Sequence, residues 1–381
     1  MIQQKIAMPT FQRIPIILLP LIALIGTIAS FHLLISYDFS YLIIAILYSL
    51  LIALIGIPAY YIPTIRTIAA LMLITILCGL FRSASLYHSY HSFPFSNEPA
   101  TIQGTVLNKV KTDQPHMSQY IVIALTSVHR ETSSLKTNHL IRIYVAIAPD
   151  LEVGDRIKID NIPIKKPNND NFWRYLIKEG TLTTIFTKKL ECTLLYRPTY
   201  SVRRWFFTYK NNLLSSFQSQ LSPATFHLFA SLFLGVKNKK ALETVNRQFK
   251  YWGILHYLAR SGLHLAVVIA IYEAVLRFIP LPFIAQHLLL LLLGILYYLL
   301  SWSSISFIRA FIMFLYYKLS ALAQIPTHFL HILLATCYII LLTNPMHLFF
   351  LDFQLSFCLT FALGWLNLYK TDQITPNSVK Y

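Results

Sequence analysis

Phe283-Ile284-Ala285-Gln286-His287-Leu288-Leu289-Leu290-Leu291-Leu292-Leu293-Gly294-Ile295-Leu296-Tyr297-Tyr298-Leu299-Leu300 runs without a single charged side chain. A helix rising about 1.5 Å per residue over this stretch covers most of the ~30 Å hydrocarbon core of a bilayer. Similar runs lie beside it at 263–280, 303–323, 326–343 and 349–368, and three more open the chain at 14–36, 41–60 and 62–81. The composition agrees. Hydrophobic residues make up 56% of the 381 and charged residues only 12%, against about 25% charge in an ordinary soluble domain. Lipid must therefore be part of the solvent, and the expected fold class is a polytopic α-helical membrane protein.

Charge sets the expected orientation. There are 32 Lys+Arg against 15 Asp+Glu, a net charge of +17 with histidine neutral. Such a balance fits anionic lipid, nucleic acid or both, and it equally fits the basic cytoplasmic loops of any membrane protein. Lys5, Arg13 and Arg66 flank the first and third spans, whereas the connector at 36–40 carries only Asp38. Basic loops stay inside, so the N-terminus is expected in the cytoplasm and residues beyond Arg82 outside it. The first run is longer than the apolar core of a secretory signal, and a second span follows at once, so it reads as a retained helix.

Residues 95–195 change character. Apolar runs shorten, and strand-like pieces fall at 100–110, 119–128, 139–147, 156–163 and 181–189. Val153-Gly154-Asp155 marks a turn, and Arg156-Ile157-Lys158-Ile159 alternates as a half-buried strand does. Asn169 reads as the cap of a short helix through Leu176. Five short strands predict a small inserted barrel, OB-like in the leading reading. From 202 to 221, Trp205, Tyr209, Leu213, Phe217 and Leu221 recur every four residues, with Arg203, Arg204 and Lys210 elsewhere. This predicts an amphipathic helix, either at the membrane interface or on a soluble surface. The stretch 224–260, broken by Gly235 and Gly253, reads as re-entrant or buried among helices, and residues 369–381 as a loose polar tail. The chain thus divides into membrane helices (1–82), the extracytoplasmic domain (95–195), the interfacial helix (202–221), a second membrane domain (224–368) and the tail.

Polar residues inside the spans mark candidate sites. If 256–264 is helical, His256, Arg260 and His264 share one face, with Ser261 and Gly262 between them. Ionisable groups at membrane depth face water or a partner; alternatively the helix is interfacial and these side chains snorkel. Glu273 and Arg277 are placed to pair. Arg309 follows Ser301, Ser303, Ser304 and Ser306, and Asp352, Gln354 and Ser356 open the last span. Arg309 either closes a structural pair with Asp352 or lines a path for phosphates. Enzymatic signatures are weak. His88/His91 and His328/His331 lack further metal-ligand neighbours. The chain contains neither a phosphate-cradling Gly-rich loop ending in Lys-Ser/Thr nor a Gly-x-Ser-x-Gly elbow. Cys78, Cys337 and Cys358 lie in apolar runs, and Cys192 has no soluble partner, so no disulfide framework is expected.

Four blocks in order resemble the ComEC-type competence protein family. They are Leu232-Phe233-Leu234-Gly235, His256-Tyr257-Leu258-Ala259-Arg260-Ser261-Gly262-Leu263-His264, Ser306-Phe307-Ile308-Arg309-Ala310, and Asn344-Pro345 with Phe353-Gln354-Leu355-Ser356-Phe357. Phe172-Trp173-Arg174-Tyr175-Leu176-Ile177-Lys178-Glu179-Gly180 resembles the end of the family's OB-like domain. Three features depart from the pattern: Val236 follows Gly235 where Asp is usual, Ser301-Trp302 stands where a Gly is common, and the 381 residues hold no His-x-His-x-Asp-His of the metallo-β-lactamase-like domain found in many members. The resemblance implies a short form, without enzymatic activity or cofactor. It would be a multi-pass inner-membrane channel component that passes single-stranded DNA into the cytoplasm in natural transformation. The implied partners are single-stranded DNA, the lipid bilayer, other competence proteins including a separate motor or nuclease, and further copies in a homo-oligomer. A polyanion path needs cations, which His256, Arg260, His264 and Arg309 would supply. The competing readings are a small-solute secondary transporter and a non-conducting, partner-dependent subunit.

Overall fold

The computed structural model describes residues 17–36, 43–44, 46–52, 55, 66–112, 116–130, 134–147, 149–235, 242–253, 262–301 and 304–374. The chain divides into two compact units. One combines Met1–Ser89, Leu281–Leu291 and Ile308–Tyr381; the other combines Tyr90–Pro280 and Leu292–Phe307.

The first unit is helical. It contains α1 (Leu18–Ser36), most of α2 (Arg66–His91), α10 (Phe329–Thr343) and α11 (Leu351–Ile374). α10 buries residues on every side, Leu330, Ile332, Leu333, Ala335, Cys337 and Leu341 among them, as expected of a helix that is apolar all round. Its neighbours approach closely where glycine leaves room. A Cβ built on Gly364 of α11 would lie 2.6 Å from the Phe329 ring, and one on Gly79 of α2 would lie 2.9 Å from Leu24. Polar side chains stitch the apolar contacts. Thr75 and Tyr338 share a hydrogen bond of 2.9 Å, and the Tyr48 hydroxyl donates to the Thr27 carbonyl beside the core of Phe31, Ile44 and Ile76. Within the span expected at 41–60, the described residues 43–44, 46–52 and 55 are helical.

The second unit carries a seven-stranded mixed sheet. Its strands are β1 (Pro99–Lys111), β2 (Gln119–His129), β3 (Ser134–Lys136), β4 (Leu140–Val145), β5 (Arg156–Pro163), β6 (Thr181–Thr187) and β7 (Cys192–Tyr196). The order is β6-β4-β2-β1-β5-β7, with β3 pairing β2 off this path. β4 and β6 run parallel; the other pairs are antiparallel. The alternation read in the sequence buries Ile102, Val106, Ile121, Ile123, Ile141, Ile143, Ile157 and Ile159 on one face. α3 (Asp170–Lys178) starts at Asn169, whose side chain accepts the Phe172 N–H, and it buries Trp173, Leu176 and Ile177. The expected barrel is not closed: β6 and β7 stand at opposite ends of the sheet.

At the turn before β5, Gly154 adopts φ +97°, a conformation open to glycine. The next residue, Asp155, is fully buried and receives Arg197 at 2.8 Å and Arg204 at 2.8 Å. Arg204 also reaches Glu152 at 3.0 Å. Arg204 belongs to α4 (Val202–Gln220), capped by Ser201, so this ion cluster ties the sheet to the helix. α4 buries no residue; Trp205 is 60% exposed. After it come α5 (Pro223–Phe229), a π-helical turn (Ala230–Leu234) closed by Gly235 at φ +70°, and α6 (Glu243–Tyr251). α7 (Gly262–Arg277) follows, then α8 (Phe283–Leu300) and α9 (Ile305–Leu322), which pass from one unit to the other.

By length and composition, α1, α2, α8 and α9 can cross a membrane. α11 runs on to Ile374, into the stretch expected as tail; nothing between Lys370 and Ile374 breaks a helix.

Candidate functional site

In the first unit, the candidate residues gather where α9 meets α11. Arg309 is a lone cation near the start of α9. Its Nη1 donates to the backbone carbonyl of Ser356 and to the Thr360 hydroxyl, and its guanidinium lies 5.6 Å from the Phe357 ring centroid. Nε is buried with no hydrogen-bond partner among the described residues. The Thr360 hydroxyl in turn donates to the Ser356 carbonyl at 2.7 Å. All of these acceptors are neutral, so the hydrogen bonds position the charge without cancelling it. A half-buried cation of this kind is costly and favours an anion nearby.

Asp352 and Gln354 are on the same helix but bond elsewhere. Asp352 is exposed and its Oδ1 accepts the Phe353 N–H at 3.0 Å, while Gln354 Nε2 donates to the Leu348 carbonyl at 2.8 Å. The structure thus brings Arg309 to Ser356 and Thr360, further along the helix than Asp352. Just before α11, Asn344 accepts the Met346 N–H and opens a 3-10 turn over Pro345–Phe349. Arg82 caps the end of α10, donating from Nε at 3.0 Å and Nη2 at 2.6 Å to the Thr343 carbonyl.

In the second unit, Gly262 begins α7, and the His264 ring stands edge-on to Phe233 at 6.1 Å. Tyr297 of α8 donates to the Phe233 carbonyl at 2.8 Å. The Leu-Phe-Leu-Gly block and the Ser-Gly-Leu-His block therefore meet. His256, Arg260 and Ser261 lie outside the described residues. Ser304 caps α9 by accepting the Phe307 N–H at 3.3 Å, and Glu273 and Arg277 pair at 3.6 Å on an exposed face.

Two residues carry polar chemistry that the sequence reading did not single out. Thr360 completes the seat of Arg309. Lys318, 6% exposed, stands with its Nζ 5.6 Å from the Tyr317 ring. Lys318 falls near the end of its span, where a lysine ordinarily snorkels to the interface; that position hid it. Among the described residues no group of three or more His, Cys, Asp or Glu is placed to hold a metal ion. All four cysteines are free, and burial pushes the Cys192 thiol up from its ordinary value.

Residues 232–377 match the family model described as Competence protein. A relative, ComE operon protein 3 of Bacillus subtilis (strain 168), is 29% identical over 154 residues, which cover 40% of this chain and 20% of the relative. The match therefore spans about one fifth of that relative's length. No solved structure matches the chain.

Proposed function

With residues 232–377 matching the competence family, we propose that this chain is a multi-pass inner-membrane component of DNA uptake. In this reading it forms part of a channel that passes single-stranded DNA into the cytoplasm during transformation. It acts without enzymatic chemistry or cofactor, alongside a separate motor or nuclease and other copies of itself. The sheet domain lies outside the cytoplasm and works as an OB-like guide. In support of that likeness, β1 pairs with both β2 and β5, and bulges at Gln103/Gly104 and Val106/Asn108 interrupt its register with β2, as a strand bent toward a barrel requires.

The observation that carries the reading is Arg309. A phosphate chain crossing hydrocarbon needs fixed cations whose charge is not already neutralised, because phosphate contacts are electrostatic and independent of sequence. Arg309 is held at the Phe353–Phe357 block by a carbonyl and a hydroxyl, so its charge is not spent on these partners. An arginine that closed a structural ion pair, as Arg204 does with Asp155, would instead face a carboxylate.

Replacement tests this. In a transformable host, Arg309→Ala abolishes DNA uptake while the protein still accumulates in the membrane, and Arg309→Lys restores part of it, since charge matters more than fork geometry. Arg260→Ala behaves likewise. Normal uptake by both alanine variants at normal abundance overturns the assignment of these residues to a DNA path.

A further inference from the structure

One face of the sheet carries an aromatic ladder outside the family-matched segment. Tyr120, Tyr144 and Phe186 sit opposite one another on β2, β4 and β6. The ring centroids of Tyr120 and Tyr144 are 5.2 Å apart; those of Tyr144 and Phe186 are 4.8 Å apart with planes 12° from parallel. Arg142 lies one alternation back along β4, with its guanidinium 5.1 Å from the Tyr120 centroid and in the electrostatic reach of Tyr144 and Tyr175. Tyr175 stacks with Phe172 on α3 at 6.3 Å.

The ladder has an inner and an outer end. Burial pushes the Tyr120 hydroxyl up to about 12, against the lowering effect of Arg142. Phe186 is 58% exposed. A phenylalanine ring presented to water on a sheet face, already parallel to its neighbour, offers a free π-surface that continues the stack. Cations lie along the ladder's elements: Arg142 on β4 over Tyr120, exposed Arg174 next to Tyr175 on α3, and exposed Lys188 and Lys189 directly after Phe186 in the chain. Glu179 is the acidic group felt by Tyr120 and Tyr175.

We infer that this ladder is a base-stacking platform for single-stranded nucleic acid, in which an unpaired base extends the Phe186–Tyr144 stack and the flanking Lys188, Lys189 and Arg142 hold the adjoining phosphates. Base–aromatic stacking tolerates any sequence because every base has a π-face. A duplex does not fit, because its bases are already stacked on one another. The inference rests on the proposed DNA-uptake reading for its biological setting, but the contact chemistry stands on the ladder itself. It assigns the guiding role to named residues.

The experiment uses the full chain in lipid nanodiscs and fluorescence anisotropy with two probes of equal length, a single-stranded oligothymidylate and an abasic strand with the same phosphates. Phe186→Ala weakens oligothymidylate binding roughly tenfold, the scale of one lost stacking partner. It leaves abasic binding unchanged, and Phe186→Trp restores wild-type affinity. Circular dichroism of each variant checks that the sheet is intact. Equal oligothymidylate affinity for wild type and Phe186→Ala overturns the platform, as does an equal loss for both probes. Either result leaves the uptake phenotype of Arg309→Ala untouched, so the two proposals fail separately.

Discussion

Asp155 is a fully buried charge and Arg309 a half-buried one, and their surroundings are opposite. Asp155 is fully buried, and its two arginines cancel it from 42 and 49 residues away in sequence. The turn at Val153-Gly154-Asp155 was legible, because a Gly-Asp pair before an alternating strand is local information. The clamp was not, because nothing in a sequence aligns Arg197 and Arg204 with one carboxylate. Its hydrogen bond to Asp155 raises Arg197 further above an already high value. Asp155→Asn leaves both guanidinium groups facing a neutral amide. The expected cost is roughly 2–3 kcal/mol, below the ~3–5 kcal/mol of a fully buried pair, because both arginines retain solvent contact. Hydrogen exchange in the full protein should speed up together over 150–156 and 201–208. Unchanged protection in both segments would show that the clamp does not hold them. Arg309 differs in that its described partners, the Ser356 carbonyl and the Thr360 hydroxyl, are neutral.

Among the elements, the strongest periodicities transferred almost intact. The alternation over 119–128 and 156–163 became β2 and β5, and the Asn169 cap began α3 where a side-chain acceptor was expected. The misses share a cause. β3 has only three residues, all exposed, and β7 is exposed over most of its length, so neither has an inward face for a period of two to reveal. Closure was inferred from strand number, yet closure depends on which strands meet at the seam, and that pairing is long-range. The face expected for His256, Arg260 and His264 lies mostly outside the described residues, whereas the meeting of His264 with Phe233 could not be read from spacing at all.

α4 buries no side chain, and Trp205 and Tyr209 stack at 5.6 Å while 60% and 49% exposed. Aromatic rings of this kind settle at the headgroup level. In vesicles containing brominated lipid, the full protein should lose tryptophan fluorescence, and Trp205→Phe should lose measurably less. Identical quenching in the two would place Trp205 away from the bilayer and favour the soluble-surface alternative.

At the scale of the molecule, the parity of membrane crossings decides on which side of the bilayer the sheet lies. By the positive-inside rule, Lys5, Arg13 and Arg66 in the sequence predict an N-terminus inside. α1 and α2 are each long and apolar enough to cross. With the apolar run at 41–60 as a third crossing between them, the sheet lies outside; with two crossings it returns to the cytoplasm. The same stacking platform would then capture incoming strand in the first case and receive emerging strand in the second. Cys192 is a poor reporter, because it is half-buried and its thiol is pushed up by burial. Tyr200, at 95% exposure next to the sheet, is a better one. In intact spheroplasts, Tyr200→Cys should react with a membrane-impermeant maleimide before lysis, above the background of the native cysteines. A reporter enzyme active only outside the cytoplasm, fused near residue 150, should be active. Labelling that appears only after lysis, together with an inactive fusion, would invert the orientation. It would move the sheet to the exit side and require either that 41–60 not cross or that the N-terminus lie outside, since an odd number of spans leaves the two ends of a segment on opposite sides.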